Sequence, residues 1–268
     1  MIRVKKNEMN KIEKLFDGIE DSMVTACLQG YMGAAYVNKL PEPDIGFIVS
    51  GEYSFFGGEA NTELAKELVE NIFEYIDGDF SVAIYSEDNL AWRALLLSVT
   101  ANNPKEVTRF GILQKDYEFD RIKLKHFIDG IPTDYELKRF DKKIYEEAML
   151  EDWSKEFCET FESAEDYLEN GFGYAVIYQN ELVSGASSMT VYDGGIEVQI
   201  ATKEEFQRRG LALPCAAALL EECMKRKLRP CWDAATLVSK YMALKLGYEY
   251  KGDYSTVHLQ KKFDDINT

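Results

Sequence analysis

The hydrophobic pattern of the chain is clearest in residues 174–202, where short apolar blocks alternate with turn-forming residues. Three β-strands are predicted in YAVIYQNELVSGASSMTVYDGGIEVQIAT, which is interrupted at Gln179-Asn180 and at Asp193-Gly194-Gly195. A helix lying closely on a sheet is predicted in GLALPCAAALLEECMKRKL, because its small and apolar residues recur at helical spacing. Pro214 falls in the first turn of this helix, where its missing N–H has no partner to lose.

The elements on either side of this segment complete a mixed α/β pattern. A short strand is predicted at RPCWDAA, a second helix at TLVSKYMALKLGY and a final strand at YKGDYSTVHLQK. Residues 145–171 are mostly helical in pattern, with Ser163 as an N-cap that Asp166 follows three positions later.

The first half of the chain repeats this order of elements. Two strands are predicted in IGFIVSGEYSFFGG, a helix in NTELAKELVENIFEYI, a strand in FSVAIYS, a helix in LAWRALLLSVT and a strand in EVTRFGILQKDYEF. We therefore expect an α/β (α+β) protein with an N-terminal half over residues 1–130 and a C-terminal domain over 131–268. The boundary is expected within residues 129–136, where Gly130, Pro132 and Asp134 interrupt the pattern.

Composition and charge narrow the classes of partner. The 268 residues are 46% hydrophobic and include 16 tyrosines and 15 phenylalanines, which indicates a folded chain. The formal net charge of −16 disfavours nucleic acid and anionic lipid and favours a cationic acceptor such as an amine, although solubility alone also explains it. A homodimer is one assembly that the sequence allows.

Cysteine usage and the N-terminus bear on redox state and location. Five cysteines without a CxxC pair, and two histidines, argue against a disulfide framework and against a metal site. The start MIRVKKNEMNKIEKLF has no apolar signal region, and no run of about 18 apolar residues follows, so a cytoplasmic protein is expected.

The stretch IATKEEFQRRGLALP places two arginines and a glycine where a strand gives way to a helix. A helix N-terminus has unpaired N–H groups and a partial positive charge, so it is suited to bind an anion. Gly210 allows close approach of the backbone, and Arg208 and Arg209 can add charge-assisted contacts to phosphate. A phosphate or pyrophosphate site is therefore predicted.

The hexapeptide QRRGLA fits the pattern R/Q-x-x-G-x-G/A, and in this context it resembles the acyl-CoA pyrophosphate loop of the GNAT superfamily of N-acetyltransferases. Residues 135–260 resemble in particular the bacterial subfamily of about this length that includes zwittermicin-resistance-type acetyltransferases, through GFGYAVI, VSGASS, EVQIAT, GLA, CWDAA and LGY in order. The first half resembles that subfamily only loosely.

The resemblance implies a GNAT-like, mainly antiparallel central sheet flanked by helices, preceded by a smaller and degenerate GNAT-like half that binds no cofactor. It also implies acetyl-CoA as cosubstrate and no metal. Backbone groups of the strand ending in IEVQIAT would pair with the pantetheine amides, and N–H groups of the loop would hold the pyrophosphate. The implied cofactor-binding residues are Val198, Gln199, Ile200, Ala201, Thr202, Gln207, Arg208, Arg209, Gly210, Leu211, Ala212, Thr236 and Ser239.

The catalytic residues are less clearly marked. Glu197 is the first choice as general base, because a carboxylate on or next to the cofactor strand often has this role in the family; the alternative is a merely solvated strand face. Relatives carry an Asn where this chain has Thr236, and many carry a Tyr acid where this chain has Ala243. Tyr241 and Tyr248 are substitutes for that acid by position only.

Two functions from different classes remain open on the sequence. The first is an acyl-CoA-dependent N-acetyltransferase in which a primary amine of a small cationic acceptor attacks the thioester directly. The second is a non-catalytic CoA-binding or interaction module with the same fold, which the missing Asn and Tyr favour. A P-loop or dinucleotide-binding protein is disfavoured because neither GxxxxGK[ST] nor GxGxxG follows a strand.

Overall fold

A computed structural model describes residues 1–84, 89–113 and 115–261. The strands, in chain order, are β1 (Ile2–Arg3), β2 (Ala34–Val37), β3 (Ile45–Ser50), β4 (Tyr53–Gly58), β5 (Phe80–Ile84), β6 (Lys105–Leu113), β7 (Glu136–Arg139), β8 (Gly173–Tyr178), β9 (Glu181–Tyr192), β10 (Gly195–Thr202), β11 (Arg229–Cys231), β12 (Asp233–Ala234) and β13 (Glu249–Leu259). The helices are α1 (Ser22–Leu28), α2 (Glu63–Glu70), α3 (Leu90–Ser98), α4 (Arg121–Asp129), α5 (Lys142–Ala148), α6 (Ala164–Asn170), α7 (Ala212–Arg226) and α8 (Leu237–Leu246).

The chain divides into two compact units. Unit 1 comprises Met1–Arg109 and the chain from Asp253 onward, and unit 2 comprises Phe110–Gly252. The division therefore differs from the boundary expected at residues 129–136, because that stretch follows α4 inside unit 2 and the last strand ends in unit 1. Glycine and proline mark where a helix stops, but they do not tell which sheet a distant strand joins.

Unit 1 is a mixed sheet with helices packed on it. Its neighbouring strands follow the order β1-β2-β3-β4-β5-β13-β6. β4 and β5 are parallel over Tyr53–Ser54 and Ser81–Val82, whereas β3 and β4 form an antiparallel hairpin. Val257 and Leu259 of β13 are fully buried in the core of this unit, so the C-terminal strand is part of its fold.

Unit 2 is built on a sheet with the strand order β11-β10-β9-β8-β7. All neighbours are antiparallel except β10 and β11. Two-residue turns join β8 to β9 and β9 to β10, with φ values of +49° and +70° at Gln179 and Asn180 and +91° at Gly194. β12 pairs with Phe110–Gly111 of β6 instead of with this sheet.

Helices cover both faces of the unit 2 sheet. α7 packs on β8, β9 and β10 through small buried residues such as Cys215 and Ala216. On the opposite face, the Ser187 hydroxyl donates to the Phe157 carbonyl at 2.8 Å, and the Phe157 ring lies against Gly185. The small residues of β9 therefore let a helix and an aromatic layer approach the sheet closely.

Most predicted elements are confirmed, and the differences are local. Residues 145–171, predicted to be mostly helical, contain the end of α5, a short 3-10 helix at Lys155–Phe157 and α6, and Ser163 caps α6 as predicted. The strand predicted at residues 229–235 breaks at Trp232, whose buried indole donates to the Ser239 hydroxyl at 3.1 Å. The strand predicted at residues 80–86 is confirmed over β5, and Tyr85 and Ser86 lie outside the described residues.

Candidate active site

β10 parts from its parallel neighbour after three residues. Gly195–Glu197 pair with Arg229–Cys231, whereas on the other side β10 stays paired with β9 as far as Thr202. Within the described ranges, no strand pairs with residues 198–202 on the β11 side. The side chains change from buried at Val198 to half-buried at Gln199 and beyond. The result is an open strand edge, which offers N–H and C=O groups to an extended ligand that carries amides.

A β-bulge marks the point where the strands part. Glu197 lies opposite Thr190 and Val198 lies opposite Ser188, so Met189 of β9 is the extra residue. A bulge bends its strand and increases the local twist. The bulge in β9 therefore coincides with the end of the β10–β11 pairing.

The loop between β10 and α7 has the backbone conformation of an anion site. Arg208 and Gly210 are left-handed, with φ values of +62° and +79°. α7 begins at Ala212, and no side chain caps its N-terminus at Leu211. Backbone N–H groups at this end are therefore available to a ligand, and the helix dipole makes the position partly positive.

Open space lies in front of Gly210. A Cβ atom placed on this residue would have no neighbouring atom within 4 Å. The glycines in the corresponding stretch of unit 1 differ, because a Cβ atom would lie 2.3 Å from the Leu15 carbonyl oxygen at Gly57 and 2.0 Å from that of Asp44 at Gly58. Gly210 thus borders space that a phosphate could occupy, whereas Gly57 and Gly58 serve close packing.

The two arginines of the loop have different environments. Arg209 donates to the Glu205 carbonyl at 2.8 Å and to the Tyr135 hydroxyl at 3.2 Å, and its guanidinium lies 4.8 Å from the centre of the Phe206 ring. Arg208 is exposed. Arg209 is consequently ordered within the loop, and Arg208 offers its guanidinium at the surface beside it.

The equivalent edge in unit 1 is covered by the unit's own side chains. The buried Trp92 of α3 donates its indole N–H to the Gly58 carbonyl of β4 at 2.9 Å, and its ring lies 4.9 Å from the Phe56 ring. The N-terminus of α2 is capped, because the Thr62 hydroxyl accepts from the Ala65 N–H at 3.0 Å. These contacts favour the prediction that unit 1 binds no CoA, which stays a prediction.

Glu197 lies at the bottom of the opening, where β10 and β11 are last paired. Its side chain is buried, so the solvated-face interpretation of this position is wrong. Cys231 is its partner on β11, and the Tyr192 hydroxyl lies 3.3 Å from the Cys231 Sγ. Burial raises the pKa of Tyr192, and the nearby charges of Cys231 and Glu197 raise it further.

Gln199 shares a face of β10 with Glu197, as alternation predicts. Its side-chain amide donates to the Glu156 carboxylate. Glu156 lies in the short helix Lys155–Phe157, on the face of the sheet opposite to α7. Two carboxylates, Glu156 and Glu197, therefore lie along one face of the strand.

The other predicted site residues lie on or near α8, and they differ in exposure and in hydrogen bonding. Tyr241 is 63% exposed on α8, whereas the Tyr248 hydroxyl is buried and donates to the Pro230 carbonyl at 2.7 Å. Burial raises the pKa of the Tyr248 phenol well above its usual range. The Thr236 hydroxyl accepts from the Ser239 N–H at 3.2 Å and caps α8. Thr236 and Ser239 thus have structural roles in the described contacts, and their role toward a cofactor stays a prediction.

Two reactive residue types are placed away from this chemistry. Cys215 is fully buried under the sheet, and burial raises the pKa of its thiol to about 12, so small-residue packing is its role. His258 lies in unit 1, with its Nδ1 atom 3.2 Å from the Ser81 hydroxyl.

Among the described residues no group of three or more His, Cys, Asp or Glu side chains could hold a metal ion. No helix in the described part is long and apolar enough to cross a membrane.

A strand that parts from its parallel neighbour beside a bulge, and that leads through a loop into a helix, defines a GNAT-like fold. The GNAT acetyltransferase family model matches residues 13–257. A GCN5-related N-acetyltransferase-like protein from Streptococcus suis is 30% identical, with a TM-score of 0.84 over 96% of this chain and 100% of that chain. The chain belongs to the GNAT acetyltransferase family. The predicted fold class is therefore confirmed, and the predicted class of enzyme, an N-acetyltransferase, is confirmed at the level of the family.

Two further relatives support this placement. The "Uncharacterized N-acetyltransferase YdfB" of Bacillus subtilis is 24% identical over 227 residues, which are 83% of this chain and 84% of that protein. A tandem GNAT protein from the clavulanic acid biosynthesis pathway is 11% identical, with a TM-score of 0.59 over 98% of this chain and 99% of that chain. The latter likeness is one of fold, and it agrees with the order of elements that occurs twice here.

Proposed function

We propose that this protein transfers the acetyl group of acetyl-CoA to a primary amine of a small cationic acceptor. The observation that carries the proposal is the open edge of β10, which leads through a short loop into the uncapped N-terminus of α7. Acyl-CoA has an amide-bearing arm and a pyrophosphate, and these two features match a free strand edge followed by an anion site.

The residues divide between the two parts of the cosubstrate. Backbone groups from Val198 to Thr202 would hold the pantetheine arm, and N–H groups from Gln207 to Ala212 would hold the pyrophosphate. Arg208 would add a charge-assisted contact, because its guanidinium is exposed beside the loop. The local arginines and the helix dipole offset the acidic character of the rest of the chain at this position.

Transfer by direct attack requires a neutral amine and a stabilised oxyanion. Glu197 would take the proton of the amine, and a backbone N–H at the bulge would stabilise the oxyanion. The acceptor approaches from the Glu156 side of the sheet in this proposal, where two carboxylates would attract a cation.

Tyr241 is proposed as the acid that protonates the leaving thiolate. Its exposed phenol is accessible to a ligand, whereas the Tyr248 phenol is committed to the Pro230 carbonyl. Tyr241→Phe is expected to lower kcat about tenfold or more. Tyr248→Phe is the control, because it should lower the melting temperature and leave kcat unchanged.

Calorimetric titration with acetyl-CoA tests the binding part of the proposal. Wild-type protein is expected to bind acetyl-CoA at one site per chain, and Arg208→Glu should weaken binding at least tenfold. Lys227→Glu is the matched control, because it reverses a charge at the far end of α7, roughly 20 Å away. Equal affinities for all three proteins would contradict the proposal.

Glu197→Gln separates the enzyme from its rival, a non-catalytic CoA-binding module. If the proposal holds, this variant binds acetyl-CoA as wild type does but loses turnover by a hundredfold or more. Binding without acetyl transfer to any amine in a broad panel, in wild type, would support the rival. The zwittermicin-resistance-type subfamily, the cytoplasmic location and a homodimer stay predictions from the sequence.

A further inference from the structure

The side chain of Arg209 is held by three contacts although the residue is exposed. Its Nη1 atom donates to the Tyr135 hydroxyl at 3.2 Å, and its Nη2 atom donates to the Glu205 carbonyl at 2.8 Å. Its guanidinium also lies 4.8 Å from the centre of the Phe206 ring. A guanidinium is a planar fork, so hydrogen bonds at both prongs fix its position and its orientation. Arg209 therefore ties the loop to a residue 74 positions earlier in the chain.

The backbone at Arg209 is the part of the loop that these contacts restrain. Arg208 and Gly210, on either side of it, are both left-handed. Alternation of left-handed residues with others turns successive N–H groups toward one side, where they can hold an anion. The left-handed conformation is unfavourable for a residue with a side chain, so Arg208 needs support from its surroundings. The contacts of Arg209 supply such support at the neighbouring residue.

Tyr135 is a suitable anchor because its own position is fixed. It directly precedes β7, which pairs with β8. Its half-buried ring lies 5.0 Å from the ring of Tyr178, the last residue of β8, and the Tyr178 ring lies 5.6 Å from that of Phe206. Aromatic rings at such distances attract one another. The hydroxyl that accepts from Arg209 therefore belongs to a packed group of side chains at one end of the sheet.

We propose that Tyr135 is a positioning residue, whose hydroxyl holds Arg209 so that the loop keeps the shape that binds the pyrophosphate of acetyl-CoA. This inference rests on the proposed function, because it assigns the loop to the same ligand. The phenol of Tyr135 carries no formal charge, so its effect on affinity comes from the geometry of the loop and not from net charge. A loop that is already ordered binds more tightly, because no binding free energy is lost in ordering it.

A double-mutant cycle in calorimetric titration with acetyl-CoA tests the inference. Tyr135→Phe removes the hydroxyl and keeps the ring, and it should weaken binding about fivefold, because one hydrogen bond that holds the loop is lost. In an Arg209→Ala background the same substitution should change the affinity by less than about twofold, since Tyr135 then has no arginine to hold. An unchanged affinity in Tyr135→Phe, or an equal loss in both backgrounds, would overturn the inference.

Tyr178→Phe is the matched control for the loss of a phenol hydroxyl. The Tyr178 hydroxyl accepts from the Gln179 side-chain amide at 3.2 Å, on the turn between β8 and β9. The substitution keeps the ring beside Tyr135 and should leave the affinity for acetyl-CoA unchanged. A loss equal to that in Tyr135→Phe would overturn the inference, because the bond to Arg209 would then not be the cause.

The order of the loop is measured without any ligand. Nitrogen-15 relaxation of the full chain gives the order parameter of the Gly210 amide, which should be near the rigid value of about 0.85 in wild type and move toward the flexible range below about 0.6 in Tyr135→Phe. A merely structural tyrosine would change stability and leave this order parameter unchanged, and that result would overturn the inference. The expected change in order, together with no binding of acetyl-CoA by wild type, would contradict the proposed function instead.

Discussion

Gly210→Ala is the substitution that tests the loop most selectively. Gly210 has a φ of +79° and borders open space, so the added methyl group meets no protein atom. The substitution therefore adds a backbone cost from the left-handed conformation and puts a methyl group where the pyrophosphate is proposed to lie. These two effects can be measured separately.

The backbone cost is small and the binding cost is larger. An alanine in the left-handed region costs about 1 kcal/mol relative to glycine, which corresponds to roughly 3 °C in melting temperature. If the methyl group displaces the pyrophosphate from one charge-assisted hydrogen bond, about 2 kcal/mol of binding is lost, or roughly 30-fold in Kd.

Gly194→Ala provides the matched control in the same unit. Gly194 has a φ of +91° in the β9–β10 turn, and a Cβ atom there also meets no atom within 4 Å. Both variants should lose a similar few degrees in a thermal melt. In calorimetric titration with acetyl-CoA, Gly210→Ala alone should bind more weakly. Wild-type affinity in Gly210→Ala, or an equal loss in both variants, would refute the assignment of the loop.

Three further predictions concern stability and chemistry away from the loop. Val257→Ala in β13 should lower the free energy of unfolding by about 2 kcal/mol in a thermal melt, because the side chain is fully buried in unit 1. The control is Val107→Ala, which the protein should tolerate because Val107 is half-exposed. The hydrogen bond from Arg93 lowers the pKa of Glu106, so the stability it adds is present at neutral pH and is lost as pH falls through that lowered pKa. Glu106→Gln should therefore cost about 1–2 °C at pH 7 and progressively less in melts at lower pH. All five cysteines are buried, and burial raises the pKa of Cys27 and Cys215 to about 12. Ellman's reagent should therefore label no thiol of the native protein at pH 8 and five thiols after unfolding. One thiol that reacts fast in the native protein would contradict this packing.

Local signals were sufficient for the elements that depend on neighbours in sequence. The turns at Gln179-Asn180 and Asp193-Gly194 define two hairpins, and the cap at Ser163 and the glycine at Gly247 mark real helix ends. The strand-loop-helix segment around Gly210 was likewise predictable, because its conformation depends on residues that are adjacent in sequence. These elements include most of the proposed cofactor site.

Features that depend on distant partners could not be predicted in the same way. The break at Trp232 follows from its bond to Ser239 and from the pairing of β12 with Phe110–Gly111. The membership of β13 in unit 1 depends on pairing with β5, about 170 residues earlier in the chain. No local pattern carries that information.

Thr190 is an intermediate case, because its pairing partner follows from a local turn whereas the surroundings of its hydroxyl do not. A two-residue turn at Asp193-Gly194 fixes the pairs of the hairpin, and counting back from it places Thr190 opposite Glu197. The pairing was therefore readable from the sequence. The absence of a partner for its hydroxyl among the described residues required the surrounding side chains.

A crystal structure of the full chain with CoA bound is the most direct test of the central claim. The account predicts that the pantetheine arm lies along residues 198–202 of β10, that the pyrophosphate contacts the N–H groups of residues 207–212, and that the sulfur lies near Glu197. CoA bound in unit 1, or bound without contact to the loop that contains Gly210, would contradict it.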